Sequence, residues 1–286
     1  MPENAYTLLN PKERTTSVIF ASPHSGRDYP LWFLRKSVLD ERAIRSSEDA
    51  FVDRLFERAP SFGAPLLLAG APRAFVDLNR AADELDPALI ADLRKIAHNP
   101  RVASGLGVVP RVVSNGRAIY RGKLTLDEAM SRITNYWQPY HDKLQELMDA
   151  SRAAFGRAIL VDCHSMPHEA IEHSRGGARR ADVVLGDRFG AAAASGVVDA
   201  IESTFTAAGL RVARNAPFAG AYVAQQYGRP SRGQHVIQVE IDRGLYMDEA
   251  SVTPSADFAS FRKLLTQVIE DIAEIGRPLQ HQLAAE

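Results

Sequence analysis

Two strand-like apolar runs in this chain each end in a histidine, and that pattern restricts the folds open to it. Val18–Ala21 runs through Pro23 into His24 and Gly26, and Ile159–Cys163 runs straight into His164 and Ser165. Further apolar runs at Pro65–Leu68, Ala74–Leu78, Val183–Leu185, Leu210–Ala213 and Val236–Ile241 also read as strands. Several are apolar almost throughout, as strands covered on both faces are. Longer segments between them carry helical periodicity: Asp49–Ala59, Leu126–Phe155, Asp187–Ala208 and Pro254–Ile275. Thr125 with Glu128 three residues on suggests a capping box, and Ala191–Ala194 falls inside a helical segment. Gly209 and Gly276 stand where helices should stop. Strands alternating with helices predict an α/β chain with a mainly parallel sheet covered on both faces.

The remaining composition narrows the class. The chain has 286 residues and is 45% hydrophobic, which suits one large domain spanning 1–286. The breaks at Gly70–Pro72, His98–Gly107 and Arg214–Gly233 read as long loops rather than linkers. Charges balance to a net −1, with no long basic run, so no nucleic-acid partner is expected. The arginines between Arg175 and Arg180 read as an exposed loop. The single Cys163 excludes an internal disulfide. No apolar stretch reaches the ~18–20 residues of a membrane span, and the N-terminus lacks a signal-peptide pattern. A cytoplasmic protein without a membrane partner is the expectation, and the sequence leaves its oligomeric state open.

Ligands bind at the carboxyl ends of strands in open α/β sheets. A histidine leaving a strand there offers a neutral nitrogen to a metal, or simply caps the strand. His24 and His164, about 140 residues apart, meet only if the fold brings them together. Strand alternation puts Asp162 on the face of His164, where it can orient the ring. A third ligand can come from Glu48 or Asp49, although both also suit the first turn of a helix. Arg80, just past the Ala74–Leu78 run, can fork onto a carboxylate or pair with Asp83 or Glu84. Glu240 sits in an apolar strand, where a carboxylate is rare unless paired or functional. Asp242 shares its face, with Arg243 or Arg229 as ordinary partners. Cys163 should point away from His164, because adjacent strand residues face opposite sides. His168 and His173 are expected to face solvent. There is no nucleophile elbow, P-loop or dinucleotide fingerprint.

Six short motifs appear in one order: Ser22–Gly26 (SPHSG), Ser47–Asp49 (SED), Asp77–Arg80 (DLNR), Asp162–Ser165 (DCHS), Gln238–Ile241 (QVEI) and Tyr246–Glu249 (YMDE). With Trp137–His141, Phe218–Tyr222 and Tyr227–Pro230, they resemble the N-formylglutamate amidohydrolase family from roughly residue 15 to residue 275. That family is related to zinc carboxypeptidases and aspartoacylases. The resemblance implies a three-layer fold with a mixed sheet of about eight strands. It implies one zinc on His24, His164 and Asp49, with Glu48 as the alternative third ligand. It also implies Glu240 as base and Arg80 as the catalytic-site arginine for a substrate carboxylate. Asn79, Arg121, Tyr222 and Arg229 are the further substrate-binding candidates, with Arg121 or Arg229 as second carboxylate anchor. Val223–Gln226 departs from the family, whose members carry basic residues there. The expected activity is zinc-dependent hydrolysis of N-formyl-L-glutamate to formate and glutamate. The alternatives are hydrolysis of another N-acyl or N-formimino amino acid, and a non-catalytic metal- or ligand-binding protein.

Overall fold

The computed structural model describes residues 1–93, 99–172 and 180–278. Among the described residues the main sheet is built from β1 (Tyr6–Leu9), β2 (Val18–Ser22), β3 (Leu66–Ala69), β4 (Ala158–Met166), β5 (Val183–Gly186), β6 (Val212–Arg214) and β7 (Gln234–Asp242), all expected from the sequence except β1. They build one sheet in the order β1-β3-β2-β4-β7-β5-β6. The central strands β3, β2, β4 and β7 are parallel, β1 and β5 run antiparallel to their neighbours, and β6 follows β5. This is the mixed, mainly parallel sheet, with seven strands instead of about eight.

The two faces of the sheet bury separate cores. On one, Tyr140, Leu144 and Met148 of the helix Gln138–Phe155 pack against Ile19, Leu160 and Val236. On the other, Leu265, Ile269 and Ile272 of the helix Phe258–Ile275, with Val198 and Ile201, cover Val18, Ile159 and Ile237. Every residue of β4 and β7 is buried, which is why both read as nearly continuous apolar runs.

Several expected elements change in the fold. Ala74–Leu78 is buried but is not a strand; its ladder partner is missing, and Asp77 N–H instead bonds the Val108 carbonyl. The short edge strand β1 had no clear pattern and pairs with β3. Asp49–Ala59 breaks up, because Phe51 adopts φ 67° and only Val52–Leu55 is α-helical. Asp187–Ala208 starts late, at Ser195, leaving Ala191–Ala194 outside the helix. Arg188, Phe189 and Gly190 all take positive φ in a turn tied down by Asp187 and Asn215. The last helix begins at Phe258 rather than Pro254, which pairs with Met247. Thr125 does cap its helix by accepting from Glu128 N–H, but the Glu128 carboxylate binds Lys36 and Arg132 instead of closing a box. Leu126–Phe155 is continuous only through a π-helical turn at Ile133–Trp137. Pro139, which has no N–H to give, follows that turn. Among the described residues no helix is long and apolar enough to cross a membrane.

His141 ties this helix to the loop that carries Arg80. Its Nε2 lies 2.9 Å from the Leu78 carbonyl and its Nδ1 2.9 Å from the Tyr227 hydroxyl. Burial disfavours the imidazolium and lowers the pKa to about 4, against the smaller opposing effect of the Leu78 carbonyl. A folded pKa below the unfolded value means that protons favour the unfolded chain between about pH 6.5 and 4. Comparing wild type with His141→Asn by denaturant titration of metal-free protein should isolate this effect. The stability difference should shift by about 3 kcal/mol in the variant's favour as pH falls through that window.

Candidate metal centre and catalytic cleft

The parallel pairing of β4 with β7 sets His164 opposite Glu240 and Asp162 opposite Gln238. All four side chains leave the face covered by the helix Gln138–Phe155, and Cys163 turns into the other core, as alternation requires. His24 emerges from β2 on the same edge. Its turn packs so closely that a Cβ on Gly26 would lie 2.2 Å from the Ala71 carbonyl oxygen. Asp49 reaches the histidines from the loop before Phe51, where its N–H bonds the His24 carbonyl at 3.0 Å.

These parts converge. Asp49 Oδ2 lies 3.4 Å from His24 Nδ1 and 3.0 Å from His164 Nδ1, and all three side chains are buried. One ligand atom from each lies within 4.8 Å of the others. The opposite nitrogen of each ring faces another carboxylate. His24 Nε2 is 2.7 Å from Asp77 Oδ1, and His164 Nε2 is 3.0 Å from Asp162 Oδ2. The second contact is off the line of a good hydrogen bond, and the Asp162 oxygens have no better partner. Carboxylates behind metal-binding imidazoles fix the tautomer and the ring orientation in this way. Arg243 donates to Asp49 Oδ1 at 3.1 Å, to the Glu48 carbonyl and to Ser165, leaving Oδ2 for the histidines.

The electrostatics describe a site poised for a cation. Burial alone would raise the Asp49 carboxyl, but hydrogen bonds and charge from His164 and His24 hold it well below the usual range. Burial also opposes charge on His164, yet Asp162 and Asp49 overcome it and hold the imidazole well above its ordinary value. His24 Nδ1 is buried without a hydrogen-bond partner. Two imidazole nitrogens, one of them the orphaned His24 Nδ1, and one carboxylate oxygen fit a divalent ion such as zinc.

Glu240 stands beside this cluster. Gln238 donates to its Oε1 at 2.8 Å, while Oε2 has no hydrogen bond among the described residues. Burial raises its carboxyl to about 7, helped by Asp49 and opposed by His164, Arg73 and Arg243. A cavity of about 400 Å³ opens over Glu240, His24, His164 and Asp49, with Arg73 and Arg80 in its wall. A larger cavity of about 590 Å³ lies beyond Arg243, Ser114 and Pro167, and lacks these groups.

The other candidates sort by position. Arg80 reaches the cavity despite the missing strand. Its Nε donates to the Leu106 carbonyl and one terminal nitrogen to the Asn79 carbonyl, and it pairs with neither Asp83 nor Glu84. Trp137 Nε1, delivered by the π-helical turn, donates to the Arg80 carbonyl at 2.8 Å. Asn79 lines the cavity, but its amide is committed to Gln238 Oε1, His164 Nε2 and Val223 N–H. Glu48 is not at the cluster, because Arg45 and Tyr29 hold its carboxylate. Arg121 is exposed and away from the cavity, and Arg229 is spent on the Gln225 and Gly228 carbonyls. Tyr222 packs on Trp137 and His141 and faces an adjoining compartment. Asp242 binds His168 rather than the expected Arg243 or Arg229, so His168 is not simply solvent-facing. His173 and the stretch from Arg175 to Arg179 lie outside the described residues, as does His98. Arg73, Arg243 and Gln238 were missed as functional residues, since nothing in their local pattern separates them from ordinary strand-end and loop residues.

Comparisons with known proteins agree with this geometry. A family model described as N-formylglutamate amidohydrolase matches residues 16–247. The crystal structure of an N-formylglutamate amidohydrolase from Ralstonia eutropha superposes with a TM-score of 0.88 at 35% identity, covering 95% of this chain and 98% of that one. An N-formylglutamate deformylase from Pseudomonas aeruginosa is 29% identical over 277 residues, covering 94% of this chain and 97% of that protein. One from Pseudomonas putida is 26% identical over 235 residues, covering 81% of this chain and 82% of that protein. The chain belongs to the N-formylglutamate amidohydrolase family.

Metal analysis should find about one zinc per chain in protein purified without chelator. His24→Ala, His164→Ala and Asp49→Ala should each abolish retention through dialysis. Arg243→Gln, which releases Asp49 Oδ1, should weaken metal affinity by about 10- to 100-fold.

Proposed function

We propose that this member of the N-formylglutamate amidohydrolase family hydrolyses N-formyl-L-glutamate to formate and glutamate. In this reading His24, His164 and Asp49 hold one zinc and Glu240 is the base. The observation that carries it is the position of Glu240: a buried carboxylate in register beside His164, with one oxygen held by Gln238 and the other free to face the cavity. A purely structural metal site gains nothing from such a group.

When bound, the ion would supply Lewis acidity to the attacked formyl carbonyl and to the water beside it. The residues of the chain do the rest. Glu240 Oε2 takes a proton from the attacking water, whose oxygen forms the new bond to the formyl carbon. Arg73, in the cavity wall and anchored by Asp77 at 3.1 Å, offers positive charge to the developing oxyanion. The C–N bond then breaks, and Glu240 returns the proton to the leaving amine nitrogen. Arg80 directs its remaining terminal nitrogen at a substrate carboxylate. Asn79 donates to Gln238 and Gln238 to Glu240, so one hydrogen-bonded chain keeps Glu240 in place, while Asp162 orients His164.

Formate release from N-formyl-L-glutamate by zinc-loaded protein is the direct test, and chelation should abolish it. Glu240→Gln should retain zinc and lose turnover by about a hundredfold or more; normal turnover in that variant would remove Glu240 as base. Arg80→Ala should raise KM about 10- to 100-fold, and an unchanged KM would argue against the carboxylate clamp. Activity confined to other acyl or formimino amino acids would redirect the substrate assignment without touching the metal centre.

A further inference from the structure

The catalytic cavity does not end at Arg80. It continues into a second compartment of about 420 Å³ that shares Arg80, Arg101 and Ala221 with the first. Arg188, Tyr222, Gln225 and Glu84 line its outer part. Three guanidinium groups therefore face one continuous cleft. Neither Arg101 nor Arg188 has an ion-pair partner among the described residues, and the hydrogen bonds of Arg80 go to carbonyl oxygens. The single acid lining this compartment, Glu84, is already committed. Its Oε1 accepts from Ala81 N–H and its Oε2 from the Asn99 amide. The compartment keeps an excess of positive charge that the protein itself does not neutralise.

Arg101 is positioned for a ligand and not by one. Asn99 Oδ1 accepts from the Arg101 and Val102 N–H groups, and Asn99 Nδ2 donates to Glu84. This fixes the backbone of Arg101 while its guanidinium stays uncommitted. Burial does most to lower the pKa of Arg80; Asp77 and Glu84 oppose it, and the charges of Arg73 and, less, of Arg101 add to it, so Arg80 and Arg101 are close enough to feel each other across the cleft. An anion between them would relieve that repulsion.

We propose that Arg101 is the second carboxylate anchor and hence a specificity-determining residue: Arg80 binds one carboxylate of a dicarboxylic acyl amino acid, and Arg101 binds the other. The assignment rests on the proposed N-formylglutamate reading and replaces Arg121 and Arg229 in that role. It makes selectivity for a dicarboxylate a property of two arginines on one cleft. Arg80 comes from the loop after Asp77, and Arg101 from the short helix Pro100–Ala103.

The test compares N-formyl-L-glutamate with its two monoamides, N-formyl-L-glutamine and N-formyl-L-isoglutamine. Wild type should prefer the diacid to each monoamide by about 10- to 100-fold in kcat/KM. Arg101→Gln should bring the preference over one monoamide to within about threefold and keep the preference over the other. Arg101→Lys, which retains charge, should keep part of the lost preference. An equal loss on all three substrates, or no change, would overturn the proposal. Failure of the parent reading looks different: zinc-loaded wild type would turn over none of the three. Calorimetry then decides separately, with glutarate as the dicarboxylate probe and butyrate as the monocarboxylate. Tighter glutarate binding that Arg101→Gln abolishes supports the anchor, and equal binding of the two acids by wild type rejects it.

Discussion

The pairing of β4 with β7 is the constraint on which the rest of this site depends. Backbone hydrogen bonds between two fully buried parallel strands place His164 beside Glu240 and Asp162 beside Gln238. A slip of one residue in β4 would turn Asp162 and His164 into the opposite core and bring Cys163 to the cleft, and the same slip in β7 would replace Gln238 and Glu240 by Val239. The apolar residues that alternate with them resist such a slip, because Ile159, Val161, Ile237 and Val239 must stay in the helix-covered core. The hydrophobic effect thus sets the geometry of a polar site.

The site collects buried charge that would be costly if any member stood alone. Asp49, Asp77, Asp162 and Glu240 supply negative charge, and Arg73 and Arg243 answer part of it from opposite sides. His24 and His164 sit between the carboxylates. A proton on His164 answers part of what is left, and a divalent ion at the cluster would complete the balance. Farther along the cleft the sign reverses, where Arg80, Arg101 and Arg188 outnumber the one acid in the wall, Glu84. A cluster able to hold a metal at one end and arginines at the other match a small substrate with a polar carbonyl and negatively charged groups.

Much of the fold was legible because long buried runs leave a strong pattern. The expected strands over Val18–Ala21, Ile159–Cys163 and Val236–Ile241 all form, each somewhat longer than the apolar run. The errors came where burial and secondary structure part company. Ala74–Leu78 is apolar because it fills the core, and it lacks a strand neighbour. Asp49–Ala59 has helical spacing, but the left-handed Phe51 holds off the helix until Val52 and leaves Asp49 outside it, free to reach the histidines. Such strain in a bulky residue is maintained only when surrounding contacts compensate, here the packing of Phe51 on Phe258 and Arg54.

The sequence by itself determined the strands, their burial and the residue types at their carboxyl ends, because these follow from local periodicity and the cost of burying unpaired polar groups. It marked His24, His164 and Glu240 as chemically significant, and it favoured Asp49 over the neighbouring Glu48 only through the family resemblance. Only the tertiary structure decided between those two, since the choice depends on Arg45 and Tyr29 capturing one carboxylate and Arg243 aiming the other. It also removed Arg121 and Arg229 from the cleft and brought in Arg73 and Arg101. Charge on an arginine is visible in sequence, but the direction of its long side chain is set by whichever surface closes over it. That surface is assembled from segments far apart in the chain.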